Sequence, residues 1–275
     1  MFQSLKKIIR PYKDMVCSIR RQRKEINDYI NHYVPAHKEL FAPLFQFKDK
    51  HLGQRVFIVA TGPSLTIEDV DKLNGEICFS MNSGFKLKDK TNFSPQYYVI
   101  CDGNAYRKLK DEMKNYSLPP IFYNQKDIKW DLEGFCTYPL PISVSLVVNH
   151  WQRRHLPKFV LRKRMSHDIT HCIYMGDTVV NVIIQLCFYM GFKEIYLLGT
   201  DCNYFGQKKY SSAVSYKGED ILPNSPEDIY EGMIADYNRA KIEADKLGVK
   251  IYNATRGGML EVFERVDLDE ILGLK

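Results

Sequence analysis

The residues of this sequence whose types could do chemistry come in short groups, each behind an apolar run. Thr61, Gly62, Pro63 and Ser64 follow VFIVA (56–60), and Asn82 and Ser83 close EICFSMN (76–82). Asp102, Gly103 and Asn104 follow QYYVIC (96–101), and Thr200, Asp201, Cys202 and Asn203 follow EIYLLG (194–199). Asn253, Thr255, Arg256, Gly257 and Gly258 follow VKIY (249–252). One polar strand end is ordinary. Five together describe a crevice for a polar, hydroxyl-rich or phosphorylated ligand, because parallel sheets bind ligands outside the carboxyl ends of their strands. In the first group Gly62 permits close backbone approach and Ser64 offers a hydroxyl. A helix start behind them would favour an anion. No Gly-Lys-Ser/Thr follows and no G-x-G-x-x-G is present, so neither nucleotide-loop fingerprint applies. An ordinary tight turn is the other reading.

Gly176, Asp177 and Thr178 open an almost wholly apolar segment, GDTVVNVIIQLCFYMG (176–191). The Thr178 hydroxyl can cap that helix or meet a ligand. Asp102 and Asp201 are candidate catalytic or metal-binding carboxylates on different strands; each could equally be a turn aspartate. His167 and His171 have the spacing of half a metal site. Without H-E-x-x-H the structural reading is preferred.

The elements that must position these groups alternate. Strands are expected at 56–60, 76–82, 96–102, 119–124, 194–200 and 249–255. Helices are expected at 66–73, 176–191 and 225–248, the last ended by Gly248. Apolar strands alternating with helices imply an α/β, Rossmann-like, mostly parallel sheet covered on both faces. With 275 residues and 45% hydrophobic content the chain can build one such domain, taken as 51–275, behind a helical N-terminal arm, 1–50.

Charge is uneven. Residues 1–50 hold 11 Lys/Arg and five Asp/Glu, which accounts for the whole net charge of +6. The arm alternates apolar and basic positions at helical spacing, interrupted at Pro11. Packing one face on the domain is the preferred reading; such a stretch can also lie on an anionic membrane surface. A second basic run, QRRHLPKFVLRKR (152–164), reads as a lid over an anionic ligand or as a solvated or membrane-facing loop. No nucleic-acid reader motif is present. No run of 18 apolar residues exists, and the N-terminus lacks a secretory core. The seven cysteines form no C-x-x-C pair and read as reduced thiols of a cytosolic protein.

VATGPSL, ICDGN, the 176–204 stretch and IYNATRGG fall in the order seen in the MptE-like family, which this sequence resembles from about 54 to 265. That family's archaeal founding members transfer diphosphate from ATP to a hydroxymethylpterin. FKEIYLLGTD (192–201) is also similar to the bacterial sialyltransferases of glycosyltransferase family 42. The second resemblance implies a CMP-sugar held by Gly62, Pro63 and Ser64, by Asn82 and by Thr178, with Tyr204 and Tyr210 on the departing phosphate. In those enzymes a His shortly before the long helix is the general base. Here Glu231 stands in that stretch, and no His follows residue 171.

The expected site is therefore Glu231, Asp201, Tyr204 and Tyr210 for chemistry. Thr61, Gly62, Pro63, Ser64, Asn82, Asp102, Asn104, Gly176, Asp177 and Thr178 would bind the donor. The resulting expectation is a glycosyltransferase that moves a nonulosonic-type sugar from a CMP- or other nucleotide-activated donor. Its acceptor would be a cell-surface glycan or lipid-linked sugar, at the inner face of the membrane, with no tightly bound cofactor and no metal. The alternatives are an ATP-dependent pterin diphosphokinase, with Mg²⁺ on Asp102 and Asp201, and a non-catalytic nucleotide- or glycan-binding subunit.

Overall fold

The computed structural model describes residues 2–125, 129–143, 164–205, 210–216 and 226–274. Among these, eight strands form one sheet: β1 (Arg55–Val59), β2 (Cys78–Met81), β3 (Tyr97–Ile100), β4 (Ile121–Asn124), β5 (Thr137–Leu140), β8 (Glu194–Leu198), β9 (Lys250–Asn253) and β10 (Glu264–Arg265). A separate pair, β6 (Ile142–Ser143) and β7 (Ile173–Tyr174), lies outside it. The order is β10-β9-β8-β1-β2-β3-β4-β5, and every pairing is parallel.

Strand side chains alternate between the two faces of a sheet. Val56, Ile58, Phe79, Met81, Val99, Ile195 and Leu197 enter the main core. Phe57, Val59, Cys78, Tyr196 and Leu198 pack on the other side with Val70, Leu73 and Leu268. Helix α1 (Phe2–Asp28) precedes the sheet, and the helices that cover its faces are α2 (Ile67–Asp71), α3 (Gly103–Met113), α4 (Val179–Met190), α5 (Pro226–Leu247) and α6 (Leu268–Ile271). All twelve residues of α4 are buried, as its composition requires, and Gly191 ends it in the left-handed region at φ 84°. The α/β, Rossmann-like reading holds, and the sheet is wholly parallel.

Two features differ from the expectations. Helix α1 runs through Pro11 without a break. Proline removes one hydrogen bond, and a helix of 27 residues has neighbouring turns to carry it across. The edge strands β5 and β10 gave no sequence signal: TYPL contains a proline, tolerated at an edge, and Glu264 and Arg265 are both exposed. The N-terminal segment packs into the domain. Tyr29, Ile30, Val34, Phe41, Leu44 and Phe47 all belong to the main core. The basic run lies outside the described residues except for Arg164, whose guanidinium sits 5.8 Å over the Tyr174 ring.

Phe47 is the plug of this junction. It is 2% exposed and meets Tyr97, Phe122 and Tyr138 edge-on at the starts of β3, β4 and β5. Phe47→Ala is expected to cost about 3–5 kcal/mol, read as a lower urea midpoint at unchanged m. A loss below about 1 kcal/mol would show that the segment docks loosely.

Candidate active site

The chain builds outward from β1 in two directions, through β2 to β5 and through β8 to β10. The connections leaving β1 and β8 diverge, which opens a crevice at their carboxyl ends. A cavity of about 390 Å³ sits there. Its walls are Thr61, Gly62 and Pro63 after β1, Asn82 after β2, Asp102 after β3, and Thr200 to Tyr204 after β8. Asp177 to Val180 at the start of α4, Tyr210, and Ile229, Met233 and Tyr237 of α5 complete it.

Asp201 organises the floor. It is 8% exposed, and its carboxylate accepts the Ser64 hydroxyl at 2.8 Å and the Ser64 N–H at 3.2 and 3.3 Å. Gly62 lies so close that an added Cβ would overlap both this carboxylate and the Gly199 carbonyl oxygen. That contact, rather than ligand approach alone, demands glycine here. Ser64 is thus turned onto Asp201 and does not line the cavity. Burial pushes the Asp201 carboxyl above the usual aspartate value, and the Ser64 hydroxyl and N–H pull the other way.

The Asn253–Gly258 group does not line the cavity; β8 stands between β9 and β1. It braces the Asp201 turn from behind. The Thr200 N–H donates to Thr255 Oγ1 at 3.0 Å, and the Met259 N–H donates to the Asp201 carbonyl at 2.7 Å. Gly258, at φ 74°, packs where a Cβ would be 2.6 Å from that carbonyl oxygen. Arg256 reaches forward in a two-pronged ion pair to Asp69, at 2.6 and 2.7 Å. Thr66 caps α2 by accepting the Asp69 N–H at 3.1 Å.

At the far wall, Thr178 caps α4 by accepting the Val180 N–H at 3.3 Å. The Asp177 N–H donates to buried Asp236 at 2.6 Å, and an added Cβ on Gly176 would press on Asn181 and Asp236. Asp102 caps α3 by accepting the Asn104 N–H at 2.7 Å. Asp102, Asp177, Thr178 and Val179 also wall a second cavity of about 400 Å³, which adds Asn104, Arg107 and Asn124. The Asn104 side-chain oxygen accepts from Arg107 at 2.6 Å.

Tyr204 and Tyr210 both reach the first cavity. Burial pushes the Tyr204 phenol up to about 12, and that of Tyr237, hydrogen-bonded to Thr178, well above its ordinary value. Both stay protonated at neutral pH and keep a donor to offer. Two wall atoms have no partner among the described residues: Asn82 Oδ1 and Thr200 Oγ1, the latter on a residue 5% exposed. Buried polar atoms left so are open to a ligand. Glu231 is not on this wall. Helix α5 turns Ile229, Met233 and Tyr237 to the cavity at i, i+4 and i+8, and Glu231 stands about 200° round from Ile229. That same i, i+4, i+8 apolar spacing is the signal by which the three could have been found. His167 pairs with Glu243 at 3.2 Å, and no group of three metal-ligating side chains occurs among the described residues.

Because the folded-state value of Asp201 is raised, its contribution to stability falls as pH climbs from the ordinary aspartate value through the raised one, then levels. Ser64→Ala removes a stabiliser of the anion and should raise the value further, read by carboxyl ¹³C titration. An unchanged titration in the variant would refute the coupling.

A family model described as "6-hydroxymethylpterin diphosphokinase MptE-like" matches residues 27–207. The match begins inside the N-terminal segment that joins the core and stops before α5. Among solved structures, a MAf glycosyltransferase from Magnetospirillum magneticum AMB-1 is similar at 14% identity and a TM-score of 0.48, over 84% of this chain and 38% of that one. The sialyltransferase CstII from Campylobacter jejuni, in complex with the substrate analogue cytidine-5'-monophosphate, is similar at 16% identity and a TM-score of 0.45, over 78% of this chain and 85% of that one. This chain therefore spans 38% of the length of the first neighbour. Comparison with curated protein sequences gave no match. The family match covers most of the chain and includes the β1 turn, the α4 start and the Asp201 turn: the chain belongs to the MptE-like family.

Proposed function

We propose that this chain is a glycosyltransferase that moves a sugar of the nonulosonic type from a CMP- or other nucleotide-activated donor to a hydroxyl of a surface glycan. The observation that carries the reading is that Tyr204, Tyr210 and Tyr237 all line the switch-point cavity. The Tyr204 and Tyr237 phenols, held protonated by burial, can hydrogen-bond a departing phosphate as its charge develops. Tyr204 and Tyr210 are the two expected for this role from the resemblance to sialyltransferases. The nucleotide would lie against Thr61–Pro63, Asn82 and Thr200, and the acceptor would enter the second cavity. The acceptor oxygen attacks the anomeric carbon, and the bond to the phosphate oxygen breaks with its electron pair on that oxygen. Asp102 and Asp177, which line both cavities, would take the acceptor proton. Glu231 is too far round α5 for that role.

A specific observation favours a second reading, diphosphate transfer from ATP. The charged residues lining the first cavity are Asp102, Asp177 and Asp201, with no cationic side chain among the described residues. A nucleotide that brings Mg²⁺ would suit Asp102 and Asp177, since this ion is usually held by one or two carboxylates and the phosphates. Asp201, committed to Ser64, fits that role less well than expected.

Thermal shift separates the two. CMP should raise the unfolding midpoint equally with and without EDTA; a shift given only by ATP, and abolished by EDTA, would establish the second reading instead. Tyr204→Phe should lower turnover about 10²-fold with the CMP shift retained. Unchanged turnover would remove the phenol from the reaction. Arg107→Ala, in the second cavity, should raise the acceptor KM about tenfold without altering the CMP shift, as loss of a charged contact of about 1.4 kcal/mol would.

A further inference from the structure

We infer that α1 is a membrane-docking helix that lies on an anionic lipid surface. An α-helix advances about 100° per residue. Arg10, Lys13, Arg20, Arg21 and Lys24 are all exposed and fall within an arc of about 100°. Met15 and Ile19, on the far side, are 8% and 2% exposed, so the helix has a seated face and a basic outward stripe. From Arg10 to Lys24 the stripe is about 21 Å long, at 1.5 Å per residue. Asp14 and Glu25 fall beside the arc, and Asp28 lies beyond its last cation. The Arg10–Asp14 pair is loose, at 4.0 Å with both side chains in solvent, and does little to neutralise the stripe.

A stripe of this kind is complementary to any polyanion. An exposed apolar side chain beside it and others in the same N-terminal segment favour lipid over nucleic acid. Ile9, about 20° outside the arc, is 52% exposed; Tyr12, 38% exposed, stands about 80° outside it, toward the seated face. Of the eight large hydrophobic residues exposed among the described residues, five lie in the first 52: Ile9, Tyr12, Leu40, Phe45 and Leu52. Exposed apolar groups beside cations match an interface in which headgroup phosphates lie over acyl chains. A phosphodiester backbone offers the first partner and not the second. The stripe also explains why all the net charge is at this end: the cavities, lined by carboxylates, do not use it.

The test is cosedimentation of the full chain with vesicles of phosphatidylglycerol and phosphatidylcholine, against phosphatidylcholine alone. Binding is expected to the anionic vesicles, to weaken as salt rises, and to drop at least about tenfold in Arg20→Glu/Arg21→Glu/Lys24→Glu. The thermal midpoint of that variant should match the wild type, since the three side chains are in solvent. Ile9→Ser should weaken binding while keeping its salt dependence. The inference is overturned by no binding to anionic vesicles, by equal binding to both vesicle types, or by full binding of the triple variant. Tighter binding to double-stranded DNA or polyuridylate than to anionic vesicles would likewise overturn it. CMP binding and turnover are read separately, so failure here leaves the proposed reaction untouched.

Discussion

The site depends on one buried carboxylate holding one turn. Asp201 sits at the end of β8 and accepts both the hydroxyl and the N–H of Ser64, two residues past Gly62 at the end of β1. The two strands are neighbours at the point where the sheet reverses its order. Without this link the connections leaving them would have no reason to keep a fixed gap. A buried anion is costly unless several donors face it. The donors come from the turn it holds, so the cost of desolvating the carboxylate and the order of the turn are one problem with one solution. The raised value of the Asp201 carboxyl shows that the compensation is incomplete.

The segment after β9 supplies the rest of the support without touching the cavity. Thr255 takes the Thr200 N–H, Met259 takes the Asp201 carbonyl, and Arg256 ties Asp69 at the head of α2. With its backbone fixed in this way, Thr200 has its hydroxyl left on the cavity wall with no partner among the described residues. Residues that look like ligand contacts in the sequence are therefore the frame that presents ligand contacts. Gly258 serves the same end: at φ 74° and against the Asp201 backbone, it lets the two turns approach within a distance no side chain would permit.

This division explains what the sequence could and could not reveal. Period and composition located six strands and the buried helix, because buried parallel strands must be short apolar runs and α4 has no polar face to hide. Edge strands β5 and β10 lack that pressure and left no pattern. The polar groups at the strand ends were legible as a class, since a turn after a parallel strand is where ligands bind. Which of them share a cavity depends on strand order, and strand order is set by crossovers that leave no local mark. Asn253 and Ser64 look alike as strand-end residues, yet each supports the wall from behind. Glu231 and Ile229 are two residues apart, and helical phase alone sends one to the cavity and the other away from it. Pro11 shows the same limit in reverse: a local rule predicts a break that a long helix overrides.

Burial has two opposite uses around this crevice, and together they shape what it can bind. It raises the Asp201 carboxyl, which favours the protonated form of a group needed as an acceptor. It also raises Tyr204 to about 12 and Tyr237 beyond its ordinary value, which preserves the protons of groups useful as donors. Among the described residues, a phosphate entering here meets carboxylates and phenols rather than guanidinium or ammonium groups. Carboxylates repel it unless a cation comes with it; protonated phenols attract it unaided. Transfer of a sugar and transfer of a diphosphate thus ask different things of the same wall. The first needs the phenols to stay neutral donors as negative charge grows on the leaving oxygen. Burial ensures that at any pH at which the fold is intact and the phenols remain below their raised values. The second needs Asp102 and Asp177 to share a cation across the gap between the cavities, and then the phenols have no evident work. The presence of three tyrosines in the lining of this cavity, two of them at positions expected from the resemblance to sialyltransferases, is the reason sugar transfer ranks first.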